Sequence, residues 1–165
     1  MITDGTSFTR FRNREALMEN KVGNIEKERI REENDRKKRY LWQYQECKRE
    51  LERLEEERIE VRLNKMLPSV IQDGMPHASG CNDLSGYASK LDDLDRKIMK
   101  ARYRRIQTLT DIRNRINAVK DQSEREVLTY RYIRGMKWED IAVKMGCSWQ
   151  WTHKIHSKAL KNIEI

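Results

Sequence analysis

The chain contains only two prolines, three cysteines and two phenylalanines, and no apolar run in it approaches the roughly 20 residues needed to cross a bilayer. With no such run and no apolar block at its start, it reads as a soluble, intracellular protein of the cytoplasm. Cys47, Cys81 and Cys147 are far apart, so they form neither a CxxC pair nor an even-numbered disulfide framework, which suits a reducing compartment. Cys147, His153 and His156, or His77 and Cys81, fall short of four ligands at a recognised zinc spacing, so no metal is expected. The sequence also lacks a Gly-rich phosphate loop, a nucleophile with its base and a paired-carboxylate pocket, which argues against an enzyme and against a cofactor.

Large apolar residues are scarce as well. Of the 165 residues 37% are hydrophobic and 38% charged, too little apolar surface for one large globular core and better suited to long exposed helices. The net charge of +8 points to an anionic partner. Its distribution is uneven: residues 84–120 hold ten Lys or Arg against four Asp, a net of +6, whereas residues 8–66 hold seventeen bases against fourteen acids, a net of +3. Arg96, Lys97, Lys100, Arg102, Arg104 and Arg105 fall in one run without an acid, which could face phosphate or an acidic protein, or form a solvated helix face.

Pro68, Pro76, Gly74, Gly80 and Gly86 cluster between two stretches almost free of both residue types, which predicts a loop over 68–86 joining two helices. Before it, Tyr40, Tyr44, Cys47, Leu51, Leu54 and Val61 recur mostly at alternating spacings of four and three, broken by Arg58. After it, Leu91, Leu94, Ile98, Leu109, Ile112, Ile116 and Val119 repeat similarly, interrupted by Arg102 and Arg105. Each stripe needs a packing surface, so the two helices are expected to pair as a long antiparallel, coiled-coil-like hairpin over 40–120. Residues 1–39 form a charged extension, partly helical or disordered: after Val22 only Ile25 and Ile30 follow as apolar anchors, Gly23 interrupts, and residues 1–7 are expected to be disordered.

Residues 121–165 change character. Ser123 with Glu126 forms an expected capping box, Gly135 a left-handed stop, Trp138 to Met145 a short helix ended by Gly146, and Ser148 the cap of a last helix. Lys137 stands where a capping hydroxyl would serve better. The fold class is therefore all-α, a helical hairpin followed by a three-helix helix-turn-helix. On the last helix Thr152, Ile155, Ala159, Leu160 and Ile163 form the face to be packed, on Ile141 and on Leu128 or Ile133. The opposite arc carries Gln150, His153, Lys154, Ser157 and Lys161, and residues 148–163 hold three lysines without an acid. That composition suits a recognition helix in the major groove of double-stranded DNA. Gln150 fits adenine N6 and N7, Lys154 guanine or phosphate, and Lys158 and Lys161 the backbone. An indole suits either the gap between helices or a sugar and thymine methyl; spacing puts Trp149 at the edge of the packed face, partly buried, Trp151 nearer the groove, and Trp138 in the core.

The run GMKWEDIAVKMGCSWQWTHKIHSKALKNI is similar to region four of bacterial primary sigma factors. Residues from about 41 to 163 also resemble a family of uncharacterised phage and prophage proteins, related in pattern to late-gene transcription regulators of the RinA and ArpU type. The resemblance implies DNA contacts at Trp149, Gln150, Trp151, His153 and Lys154, and a transcriptional regulator whose hairpin makes a homo-oligomer or contacts RNA polymerase. Sigma factors tend to carry Arg and Glu on this stretch, so a −35-like target does not carry over. A dimer would read half-sites about 34–36 Å apart. The alternatives from other classes are a small terminase-like DNA-packaging subunit and a coiled-coil scaffold with a protein-binding terminal module.

Overall fold

The computed structural model describes the backbone of residues 5–66 and 81–165 and the side chains of residues 23–64 and 84–165. The described residues are helical throughout apart from short connections: α1 (Gly5–Met66), α2 (Cys81–Ala118), α3 (Gln122–Leu128) running into a π turn (Thr129–Ile133), α4 (Trp138–Met145) and α5 (Trp149–Asn162). Residues 1–40 and 41–165 form two compact units. In the first, α1 continues through Gly23, where an added Cβ would meet nothing, so this glycine does not interrupt the helix. Ile25 and Ile30 are exposed, as the charged composition of the segment requires. The expected disorder of residues 1–7 is corrected at residues 5–7, which lie in α1; residues 1–4 lie outside the described residues.

In the second unit, α1 and α2 run antiparallel. Cys47 faces Thr108, Glu50 pairs with Arg104, Glu55 with Arg102 and Arg58 with Asp95, so rising numbers on one helix meet falling numbers on the other. Leu51 and Leu54 pack with Leu94, Ile98 and Ala101, and Val61 joins the end of the cluster. Leu41, which lies outside the predicted stripe, is fully buried, while Tyr40 is only partly so. The interruptions have a physical reason. Arg58 and Arg105 are half-buried, and the enclosed Nε of Arg58 pairs across the helices with Asp95 at 2.8 Å. Arg102 lies beside the seam, and the small Ala101 takes the buried position.

The predicted loop over 68–86 is shorter at its second end. α2 begins at Cys81 and takes in Gly86, whose added Cβ would meet open space; residues 67–80 lie outside the described residues.

The C-terminal helices bury Val127, Leu128, Tyr132, Ile141, Ala142, Ala159, Leu160 and Ile163 around one centre. The expected cap at Ser123 is corrected to Asp121: its carboxylate accepts from the backbone N–H of Glu124 at 3.2 Å, and Ser123 is exposed. Asp121 offers the same side-chain acceptor two residues earlier, and Glu124 occupies the third helical position. Gly135 and Gly146 take the left-handed φ values of +70° and +64° that close their helices. Lys137 opens α4 without a side-chain cap, and Glu139 and Asp140 in its first turn complement the helix dipole instead.

Candidate nucleic-acid interface

α5 starts at Ser148, whose hydroxyl accepts from the N–H of Trp151 at 3.2 Å. Thr152, Ala159, Leu160 and Ile163 are buried, and Ile155 is half-buried, as the helical spacing requires. His156 joins them. It sits at the centre of the module, where its Nε2 and the Tyr132 hydroxyl share a hydrogen bond of 2.9 Å. Burial pushes the Tyr132 pKa far above that of an ordinary tyrosine, so the phenol keeps its proton.

The opposite side of α5 is open. Trp149 and Trp151 are 50% and 54% exposed, and Gln150, Lys154, Ser157 and Lys161 form a solvent-facing stripe at spacings of four, three and four. Trp149 is thus only half-covered, one face of its ring turned to His153. Lys154 lies 5.9 Å from the Trp151 ring centroid. The Ser157 hydroxyl donates to the carbonyl of His153.

Two members of the predicted set differ in setting. Lys158 is exposed, but its ammonium pairs with Glu124 at 2.9 Å and Asp121 at 3.6 Å, and Glu124 holds its pKa above the usual lysine value. The other Glu124 oxygen accepts from Asn162 at 2.8 Å. His153 is half-buried between Trp138 and Trp149, with ring centroids 4.3 and 4.1 Å away, and its Nε2 is enclosed without a hydrogen-bond partner.

The rings continue inward beyond what the sequence reading anticipated. Arg131 lies over both Trp138 and Trp42, so a ladder of ring and guanidinium contacts runs from Trp149 through His153, Trp138 and Arg131 to Trp42 on α1. Trp138 is half-buried within it. Gln45, one turn beyond Trp42, donates through Nε2 to the carbonyls of Tyr132 and Ile133 at 3.0 and 2.7 Å. Those carbonyls belong to the π turn, where an extra residue per turn changes the usual backbone pairing and Arg134 N–H donates to Thr129 O instead. Trp42, Gln45, Arg131 and Tyr132 escaped the sequence reading because each acts across the fold at long sequence separation. One signal was present: Trp42 is a lone tryptophan in a helix otherwise dominated by charge.

Cys147 contacts the Thr152 hydroxyl, and both histidines of α5 are held by rings. Among the described residues no cluster of His, Cys, Asp or Glu is placed to hold a metal, and His77 lies outside them. No helix among the described residues is long and apolar enough to cross a membrane.

Residues 121–164 match the family described as Sigma-70, region 4. The C-terminal module is thus a sigma region-four-like helix-turn-helix, a DNA-binding fold, covering α3 to the end of α5. No curated protein and no solved structure matches the chain.

Proposed function

We propose that the chain is a sequence-specific double-stranded DNA-binding regulator of transcription, of the phage or prophage late-gene kind, acting in the cytoplasm of a bacterial host. One observation carries this reading: α5 is anchored by a fully packed face, while its other face presents indoles, an amide, a hydroxyl and lysines to solvent, with no acid from 148 to 163. Helix donors and positive charge on an open ridge are what a major groove and its phosphates require.

In this reading Trp149, Gln150, Trp151 and Lys154, near the N-terminus of α5, meet base edges or adjoining sugars, with Ser157 and Lys161 following the backbone. His153 and Lys158 act differently. His153 holds Trp149 in place, and Lys158 contributes to phosphate attraction while pinned to α3. The chain binds rather than catalyses and needs no cofactor. The hairpin of residues 40–120 assembles copies of the chain or contacts RNA polymerase.

Selection of bound fragments from a random duplex library, with affinities read by fluorescence anisotropy across a salt series, tests the proposal. The expected result is a recurrent motif bound at least about 10³-fold tighter than random duplex, with affinity falling as salt rises. Recovery of no motif, or affinity indifferent to salt, overturns it.

A further inference from the structure

The hairpin buries one face of each helix and leaves a second patterned face on each. On α2, Arg96, Met99, Tyr103 and Ile106 recur at spacings of three, four and three, nearly opposite the buried Leu94, Ile98 and Ala101 stripe. Met99, Tyr103 and Ile106 are 63%, 64% and 57% exposed. Lys100 flanks them, and no acid occurs between residues 96 and 110. On α1, Glu52, Glu56, Ile59 and Leu63 recur at spacings of four, three and four, with Ile59 and Leu63 56% and 53% exposed and Glu60 alongside. Isolated exposed apolar residues are ordinary, but two stripes at coiled-coil spacing are a pattern.

The charges say which surfaces fit. Two copies joined through α2 alone would set bases against bases, and two joined through α1 alone would set glutamates against glutamates. Among the described residues, Glu56, Glu60 and Lys100 form no ion pair, so these charges are open to a partner. Arg96 is tied only loosely, at 3.7 Å, to the exposed Asp93. A shallow groove beside Met99, lined also by Asp92, Asp95, Arg96 and Lys100, offers room for an aliphatic side chain.

We infer that the basic apolar stripe of α2 docks on the acidic apolar stripe of α1 from a second copy of this chain. The inference rests on the reading of the hairpin as an assembling element and names the two faces that meet. Ile59 and Leu63 supply the apolar side of the contact, and Glu56 and Glu60 face Arg96 and Lys100, an arrangement that also sets the register. Because the faces differ, the contact closes when both are used about a two-fold or continues from chain to chain into a ring.

Charge reversal in the full chain tests this. One variant carries Glu56→Lys and Glu60→Lys, making both stripes basic; the other carries Arg96→Glu and Lys100→Glu, making both acidic. Sedimentation equilibrium should find the wild type associated, each variant alone weakened by about tenfold or more, and their equimolar mixture reassociated. Circular dichroism verifies that each variant keeps its helices. Glu56→Gln with Glu60→Gln, which removes attraction without adding repulsion, should weaken association in the same direction.

A monomeric wild type overturns both this inference and the assembling role of the hairpin. A wild type that associates, but with variants that associate equally well or a mixture that stays apart, overturns only the assignment of these faces. Anisotropy on random duplex, followed in parallel, keeps the DNA-binding reading separate.

Discussion

The guanidinium of Arg131 lies between the indoles of Trp42 and Trp138, 5.1 and 4.6 Å from their centroids, and also donates to the Met136 carbonyl at 2.9 Å. A planar cation between two ring faces is attracted by both, and a partly buried contact of this type is worth roughly 0.5–2 kcal/mol. Arg131→Ala should therefore destabilise the second unit by about 2 kcal/mol. Arg131→Lys should recover little, since an ammonium cannot stack between two planes. Urea denaturation followed by tryptophan fluorescence checks both, and a lysine variant as stable as the wild type would show that flat stacking contributes nothing.

Gln45 joins the long helix to the π turn, and Gly135 leaves space for it. A Cβ at Gly135 would stand 3.2 Å from the Gln45 Oε1, and the φ of +70° disfavours any L side chain. Gly135→Ala should cost about 1–2 kcal/mol, and Gln45→Ala about 1–3 kcal/mol through two lost hydrogen bonds at half-buried carbonyls. Hydrogen exchange provides the sharper check: Gln45→Ala should speed exchange in residues 129–136 before it affects the hairpin near Leu51. Uniform acceleration along the chain would mean that the clasp is not local.

Much of this was legible in the residues themselves. Leu94, Ile98, Ile112, Ile116 and Val119 announced their stripe by spacing, and Gly146, Ser148 and the packed side of α5 followed from local rules of helix ends. The cap moved from Ser123 to Asp121 because two acceptors compete within three residues, and burial of Glu124 against Lys158 and Asn162 selects between them. Such tertiary preferences leave no local trace. For the same reason Gln150 and Trp151 could be placed toward the open side from helical spacing, whereas Trp149, expected partly buried at the edge of the packed face, is 50% exposed, and the support reaching these residues from Trp42 left no local sign. His156 stood in the sequence only within an incomplete ligand set, and its buried hydrogen bond to Tyr132 is another contact made across the fold.

Asp121 gives the module a dependence on acid. The Glu124 backbone N–H, assisted by Lys158, holds its carboxyl below the ordinary aspartate value of 3.8. The folded chain therefore binds that proton less readily than the unfolded chain, so the contribution is full above the unfolded value and is lost as pH falls through the lowered one. Urea midpoints should drop below about pH 4, with a shallower drop in Asp121→Asn. Identical acid slopes for the two proteins would remove Asp121 from the account. Lys158 works in the other direction: its raised pKa makes its contribution present at neutral pH and lost in strong alkali.

Trp149 and Lys154 separate support from contact. Lys154→Ala should lower affinity for every duplex and reduce the slope of log K against log salt by about 1, as expected of one phosphate contact. Gln150→Ala should cost about 1–3 kcal/mol of discrimination at a single base pair while leaving random-duplex affinity unchanged. His153→Ala, which removes the ring behind Trp149, should weaken the selected motif more than random duplex. An equal loss on both would make His153 a general stabiliser of the fold.

Clamping a helix partway along its length turns the part beyond the clasp into a lever. Gln45 fixes α1 to the π turn, and Lys65 lies 20 residues beyond, about 30 Å at the helical rise. A 5° tilt at the clasp would then swing the far tip by roughly 2.6 Å on that arm, so whatever grips the tip has mechanical advantage over the angle at which α5 is presented.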